Sequence, residues 1–201
     1  MINTKIVCSS QYYEICLIYG ILKVEKERRQ KYMQTKLTQF YVKKTDKNLI
    51  EIVEAFDIDK AKIGFRTYDN SNEKGSKCDN KVDFYMSIPE FDLFCHNLLS
   101  GYTVKMIRDG EKFPPIYKGS RRNGRVESRI LTLGKSNRGL FFNAFEGPGK
   151  ENETGAVMPL YKTSDAENKV SIQLNYEEIK MFAIQGKRLC DCYYLSRFGK
   201  N

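Results

Sequence analysis

Two stretches of the chain pass from a hydrophobic period of two to a helical period across almost the same residues. In Lys81-Val-Asp-Phe-Tyr-Met-Ser, the apolar positions Val82, Phe84 and Met86 alternate with polar ones. In Lys169-Val-Ser-Ile-Gln-Leu-Asn, Val170, Ile172 and Leu174 do the same. Alternation predicts a half-buried strand. Each stretch then turns helical, with Phe91, Phe94, Cys95 and Leu98 on one face in the first and Ile179, Phe182 and Ala183 in the second. Between strand and helix stand Ser87-Ile-Pro-Glu and Asn175-Tyr-Glu-Glu, each a capping oxygen with a carboxylate three residues on. The copies keep a constant offset of 88 residues, with Lys81/Lys169, Val82/Val170, Glu90/Glu178 and Phe94/Phe182 identical. This predicts two strand-to-helix units arising by duplication.

Other elements follow from the same rules. Lys47 to Phe56 presents Leu49, Ile50, Val53 and Phe56 at helical spacing and predicts a short amphipathic helix, and Lys62 to Tyr68 predicts a strand. Asp69 to Asn80 is turn chemistry, and Gly101 suits a helix stop. Tyr102 to Arg108 predicts a strand followed by an Asp109-Gly110 turn. Lys118 to Arg125 is expected to be a basic loop, and Ser128–Leu133 and Gly139–Phe145 are expected to be strands. The expected fold class is α+β, with antiparallel sheets around a pair of helices. The expected division is a helical basic arm over 1–44, a first sheet-helix unit over 45–101 and a second over 102–201, the last two forming one duplicated domain. Translation from Met1 or from Met33 is left open.

The 201 residues carry a net charge of +9, which favours a polyanionic partner. Between Lys105 and Arg138 lie ten basic and three acidic residues, so this segment holds +7 of the total. Aromatic residues are interleaved with it. Cations neutralise phosphates and rings stack on unpaired bases. Tyr117, Lys118, Arg121, Arg122, Arg125, Arg129, Lys135, Arg138, Phe141, Phe142 and Lys150 are therefore the candidate nucleic-acid contacts. If Phe141 and Phe142 share a strand, one faces the core and the other faces out.

Six scattered cysteines fit reduced thiols in a cytoplasmic chain, or a nuclear one in a eukaryote. The longest apolar run, Ile15 to Leu22, is too short to cross a bilayer. Little points to catalysis. The single histidine, His96, sits on a predicted helix, Gly147-Pro-Gly-Lys150 lacks the spacing of a triphosphate loop, and Cys190-Asp-Cys192 is too tight for a zinc knuckle. No cofactor or metal is expected, and a homo-oligomer is compatible with the sequence.

Two resemblances add to this reading. Gln34, Leu37, Phe40 and Tyr41 resemble the clamp-binding box of replication proteins, which gives an alternative function as an adaptor recruiting a sliding clamp; the competing reading places Leu37 and Phe40 in the core. Residues 128 to about 189 resemble the Whirly and transcriptional positive-cofactor superfamily. The resemblance rests on the basic strands, the Arg138-Gly139 turn and Val170-Ser-Ile-Gln-Leu-Asn-Tyr-Glu-Glu-Ile, which is similar to that group's strand and Leu-Ser-x-Glu-Glu helix start. The Lys-Gly-Lys-type signature of plant members is absent. The resemblance implies sheet-helix units packed through their helices and non-enzymatic, sequence-tolerant binding of single-stranded DNA, with RNA as the lesser option.

Overall fold

The computed structural model describes residues 38–69, 77–122 and 124–198, so Gln34, Leu37 and most of the expected helical arm lie outside the described residues. Thr38 onward forms one compact unit.

Two antiparallel sheets, each followed by a helix, make up the fold. The first sheet is a meander of β1 (Gln39–Lys44), β2 (Asn48–Ala55), β3 (Lys60–Asp69) and β4 (Lys77–Ser87), leading into helix α1 (Ile88–Leu99). A short helix, α2 (Tyr102–Arg108), connects to the second sheet. That sheet is β5 (Ile116–Arg122), β6 (Arg125–Lys135), β7 (Gly139–Glu151) and β9 (Asn168–Asn175), leading into α3 (Tyr176–Phe198). A three-residue strand, β8 (Val157–Pro159), pairs with the far end of β7. Ser87 and Asn175 each close a fourth strand immediately before a helix, so the 88-residue repeat is a repeat of structure.

The core lies where both sheets face the two helices. Ile63, Phe65, Val82, Phe84 and Met86 line it from one sheet, and Leu131, Leu140, Phe142, Ile172 and Leu174 line it from the other. Phe182 of α3 sits at its centre, with ring centroids 5.4 Å from Phe142, 5.5 Å from Tyr41 and 6.4 Å from Phe94. The helices cross at Gly186, where an added Cβ would run into Cys95 Sγ and lie 3.1 Å from Phe91. The Lys187–Asp92 ion pair closes one side of the crossing at 2.5 Å. The described cysteines 78, 95, 190 and 192 are free thiols.

Several local expectations give way to packing. Lys47–Phe56 is mostly strand β2, because Ile50 and Ile52 point inward with a period of two and β-branched residues suit a pleated surface. Tyr102–Arg108 is helix α2, which buries Thr103 and Ile107 four residues apart. Gly101, at φ +78°, ends α1 as expected. Lys118–Arg122 is not loop but the continuation of β5. Gln39–Lys44, assigned to the helical arm, is an edge strand. Only the second capping box closes through its side chains: the Glu178 N–H donates to Asn175 Oδ1 and the Asn175 N–H to Glu178 Oε2, both at 2.9 Å. Ser87 makes no such bond.

Candidate nucleic-acid interface

Strand register fixes which side chains share the solvent face of the second sheet. Tyr117, Ile130, Phe145 and Lys169 form one row across β5, β6, β7 and β9. Thr132, Asn143 and Ser171 form the next row, and Gly134, Phe141 and Gln173 the one after. Leu131, Leu133, Phe142 and Ala144 occupy the other face. Tyr117 is 44% exposed and Phe141 37%, so two open rings stand on the same pleated surface. Four residues along β7 and two strands across separate them, roughly 13 Å by 10 Å.

The far end of this face is covered. Val157 of β8 fills the space over Gly119 and Gly149, and the Tyr161 ring lies over Gly147 while its hydroxyl donates to the Ser128 carbonyl at 3.0 Å. Burial, together with the neighbouring Glu146 charge, pushes the Tyr161 phenol up to about 12.

The basic candidates separate into two groups. Lys118 points to the helix side and pairs with Glu90 of α1 at 2.5 Å. Arg121 pairs with Glu151 at 2.7 Å, and Arg125 pairs with Glu167. Arg122 ends β5 opposite Arg125. Arg129 is 8% exposed and bonds Glu146 at 2.6 Å, Ser120 at 2.8 Å and Glu127 at 2.9 Å. It serves as a structural ion-pair centre, because its guanidinium is buried and its charge is already offset by two carboxylates. Phe142 is likewise removed from the contact set, being wholly buried.

Lys135 and Arg138 flank the β6–β7 turn, Lys150 is exposed on β7, and Lys169 ends the Tyr117 row. Among the described residues none of these four has a carboxylate within ion-pair distance. Of these four, Lys135 and Arg138 stand together at the β6–β7 turn, Lys169 stands in the Tyr117 row, and Lys150 stands at the far end of β7 beside β8. Lys105 and Arg108 of α2 approach the same turn: Lys135 Nζ donates to the Arg108 carbonyl at 3.3 Å, and the Arg108 guanidinium stands 5.8 Å from the Tyr176 ring centroid. These two, with Lys169, Gln173 and Asn175, were missed as site residues. The alternation of Lys169, Ser171, Gln173 and Asn175 with buried apolar residues was visible in the sequence. What it could not supply was the pairing that sets those residues beside Phe141.

The first sheet presents a different face. Gln39, Glu51, Arg66, Asp83 and Lys81 link across its four strands, with Arg66 2.7 Å from Asp83 and 3.2 Å from Glu51. Burial alone would raise the Asp83 carboxyl, but Arg66, Lys81 and Lys62 hold it below its ordinary range. Beside this sheet, a groove of about 800 Å³ runs from Lys60 and Lys62 to Arg121.

Tyr41 and Phe40 serve the fold. The Tyr41 hydroxyl donates to the Glu178 carbonyl at 3.4 Å, and Phe40 packs on the core. The Lys43–Glu178 pair, at 2.5 Å, fixes β1 to the start of α3. A peptide box needs its aromatics free to leave, and Tyr41 is not. Among the described residues, no group of three His, Cys, Asp or Glu side chains could hold a metal, and no helix is long and apolar enough to cross a membrane.

No protein-family model matches the chain, and no curated protein does. Among solved structures it is similar to WHY1 from Arabidopsis thaliana, at 11% identity over 77% of this chain and 84% of that one, with a TM-score of 0.44. It is similar to WHY3 from the same plant, at 10% identity over 83% and 98%, with a TM-score of 0.46. It is also similar to the plant transcriptional regulator PBF-2, at 11% identity over 80% and 82%, with a TM-score of 0.42. The likeness to these structures is one of architecture.

Proposed function

We propose that the protein is a non-enzymatic, sequence-tolerant binder of single-stranded DNA that grips the strand on the solvent face of its second sheet. The observation carrying this reading is the placement of the Tyr117 and Phe141 rings on one exposed face beside Lys135, Arg138 and Lys169, none of which is paired with a carboxylate among the described residues. Rings of this kind stack on unpaired bases whatever their identity, while the cations meet the phosphates. A duplex hides its base faces and so loses the stacking contribution. RNA presents the same base faces, and a matched ribonucleotide strand measures how far the preference for DNA extends.

A salt titration of binding to a short unpaired oligonucleotide, run beside its duplex, tests the proposal. The unpaired strand is expected to bind more tightly, with log K falling by about 0.7 per neutralised phosphate against log salt. Equal binding of the duplex, or no binding of the single strand at low salt, overturns it.

A further inference from the structure

We infer that the cleft beside the β6–β7 turn is a base-reading pocket, in which one nucleobase of the bound strand stacks on Phe141 and is read by the amides of Gln173 and Asn175. The inference rests on the binding face proposed above and adds a point of base selectivity to it.

The cleft has a volume of about 550 Å³, within the range of small-ligand sites. Phe141 forms one wall, and Gln173 is its direct cross-strand partner on β9, so ring and amide stand side by side on one face. Asn175 follows two residues on and points the same way. Both amides are already oriented. Gln173 Nε2 donates to Ser136 Oγ at 2.8 Å, which leaves Oε1 as an acceptor. Asn175 Oδ1 accepts the Glu178 N–H at 2.9 Å, which leaves Nδ2 as a donor.

A fixed acceptor and a fixed donor beside an open ring match what a base edge offers, a donor and an acceptor next to each other on a flat ring. Lys135 and Arg138 also line the cleft and can take the flanking phosphates. Among the described residues the one carboxylate lining it, Glu178, is occupied by Lys43 and the Asn175 N–H. The Tyr117 end of the face has no such equipment: its cross-strand neighbour is Ile130, with Phe145 beyond. Stacking without readout is expected there, and stacking with readout at Phe141.

The test uses the full chain and fluorescence anisotropy with fluorescein-labelled oligothymidylate, oligoadenylate and oligocytidylate of about 12 nucleotides, comparing wild type with Gln173→Met. Uniform strands put the same base in the pocket in every register. Comparing the two proteins on each strand cancels differences in the strands' own stacking. Gln173→Met is expected to weaken the preferred strand on the order of ten-fold more than the least preferred. Thermal unfolding of the variant checks that the sheet is intact. If Gln173→Met changes all three strands equally or not at all, while Phe141→Ala still weakens all three, the pocket reads no base and the binding face stands. If wild type binds none of the strands, the binding face and the pocket fall together.

Discussion

Phe141 and Phe142 are neighbours in sequence but point to opposite sides of β7: Phe141 is open to solvent beside Gln173, and Phe142 packs 5.4 Å from Phe182 at the centre of the core. Their substitutions should therefore have opposite effects. Phe141→Ala is expected to weaken single-strand binding by about 1–3 kcal/mol, the contribution of one stacked base, with the unfolding midpoint unchanged. Phe142→Ala is expected to cost about 3–5 kcal/mol of stability. Paired denaturant and binding curves separate the two.

Charge reversal should matter most at the β6–β7 turn. Lys135→Glu together with Arg138→Glu is expected to weaken binding strongly and to lower the slope of log K against log salt by about 0.7 for each lost phosphate contact. Arg121→Glu, which removes a cation already paired with Glu151, should have a smaller effect on both. Equal loss at the two places would return the interface to β5.

Arg129→Met leaves Glu127 and Glu146 facing each other where they are only partly exposed. Breaking a buried ion pair on one side costs about 3–5 kcal/mol. The prediction is a large drop in the denaturant midpoint, with the affinity of the folded protein for an unpaired strand little altered.

Gly186→Ala is expected to destabilise by about 1–3 kcal/mol, because the new methyl group must push α3 away from Cys95 and Phe91. Alanine favours a helix over glycine by about 1 kcal/mol, so a net gain in thermal stability would show that the crossing is looser than its geometry implies.

Two phenols give the protein an alkaline limit. Burial, with the Glu178 charge second, raises Tyr41 to about 12, and burial likewise raises Tyr161 to about 12. The unfolded value is about 10. Each raised group contributes stability that is fully present below pH 10 and is lost as pH climbs towards 12. Unfolding free energy should therefore fall across that window, and Tyr41→Phe should flatten the fall. In a spectroscopic titration of phenolate, Tyr41 and Tyr161 should ionise only as pH approaches about 12.

The two strand-to-helix joints and the α+β class were legible in the sequence, because alternation ending in a capped helix is a strong local signal and it occurs twice. The errors fell where local signals conflict. Leu49, Ile50, Val53 and Phe56 satisfy a helical spacing, yet Ile50 and Ile52 serve a strand. Tyr102–Arg108 is rich in strand-forming residues but packs as a helix after the Gly101 break. The candidate site was legible as a segment and not as a surface. Counting charges could not show that Glu90, Glu151, Glu167 and Glu146, all outside the counted segment, would join Glu127 in neutralising Lys118, Arg121, Arg125 and Arg129. It also gave no way to place Gln173 beside Phe141, since that pairing is set by the register of two strands separated by a long connection.

Because both sheet-helix halves are encoded in one polypeptide, a substitution in one is not copied into the other, as it would be in a symmetric pair of identical chains. The first half presents a surface stitched by Arg66, Glu51 and Asp83, while the second presents the open rings of Tyr117 and Phe141. If the second sheet grips a strand as proposed, the halves divide the labour, one serving as scaffold and the other as hand.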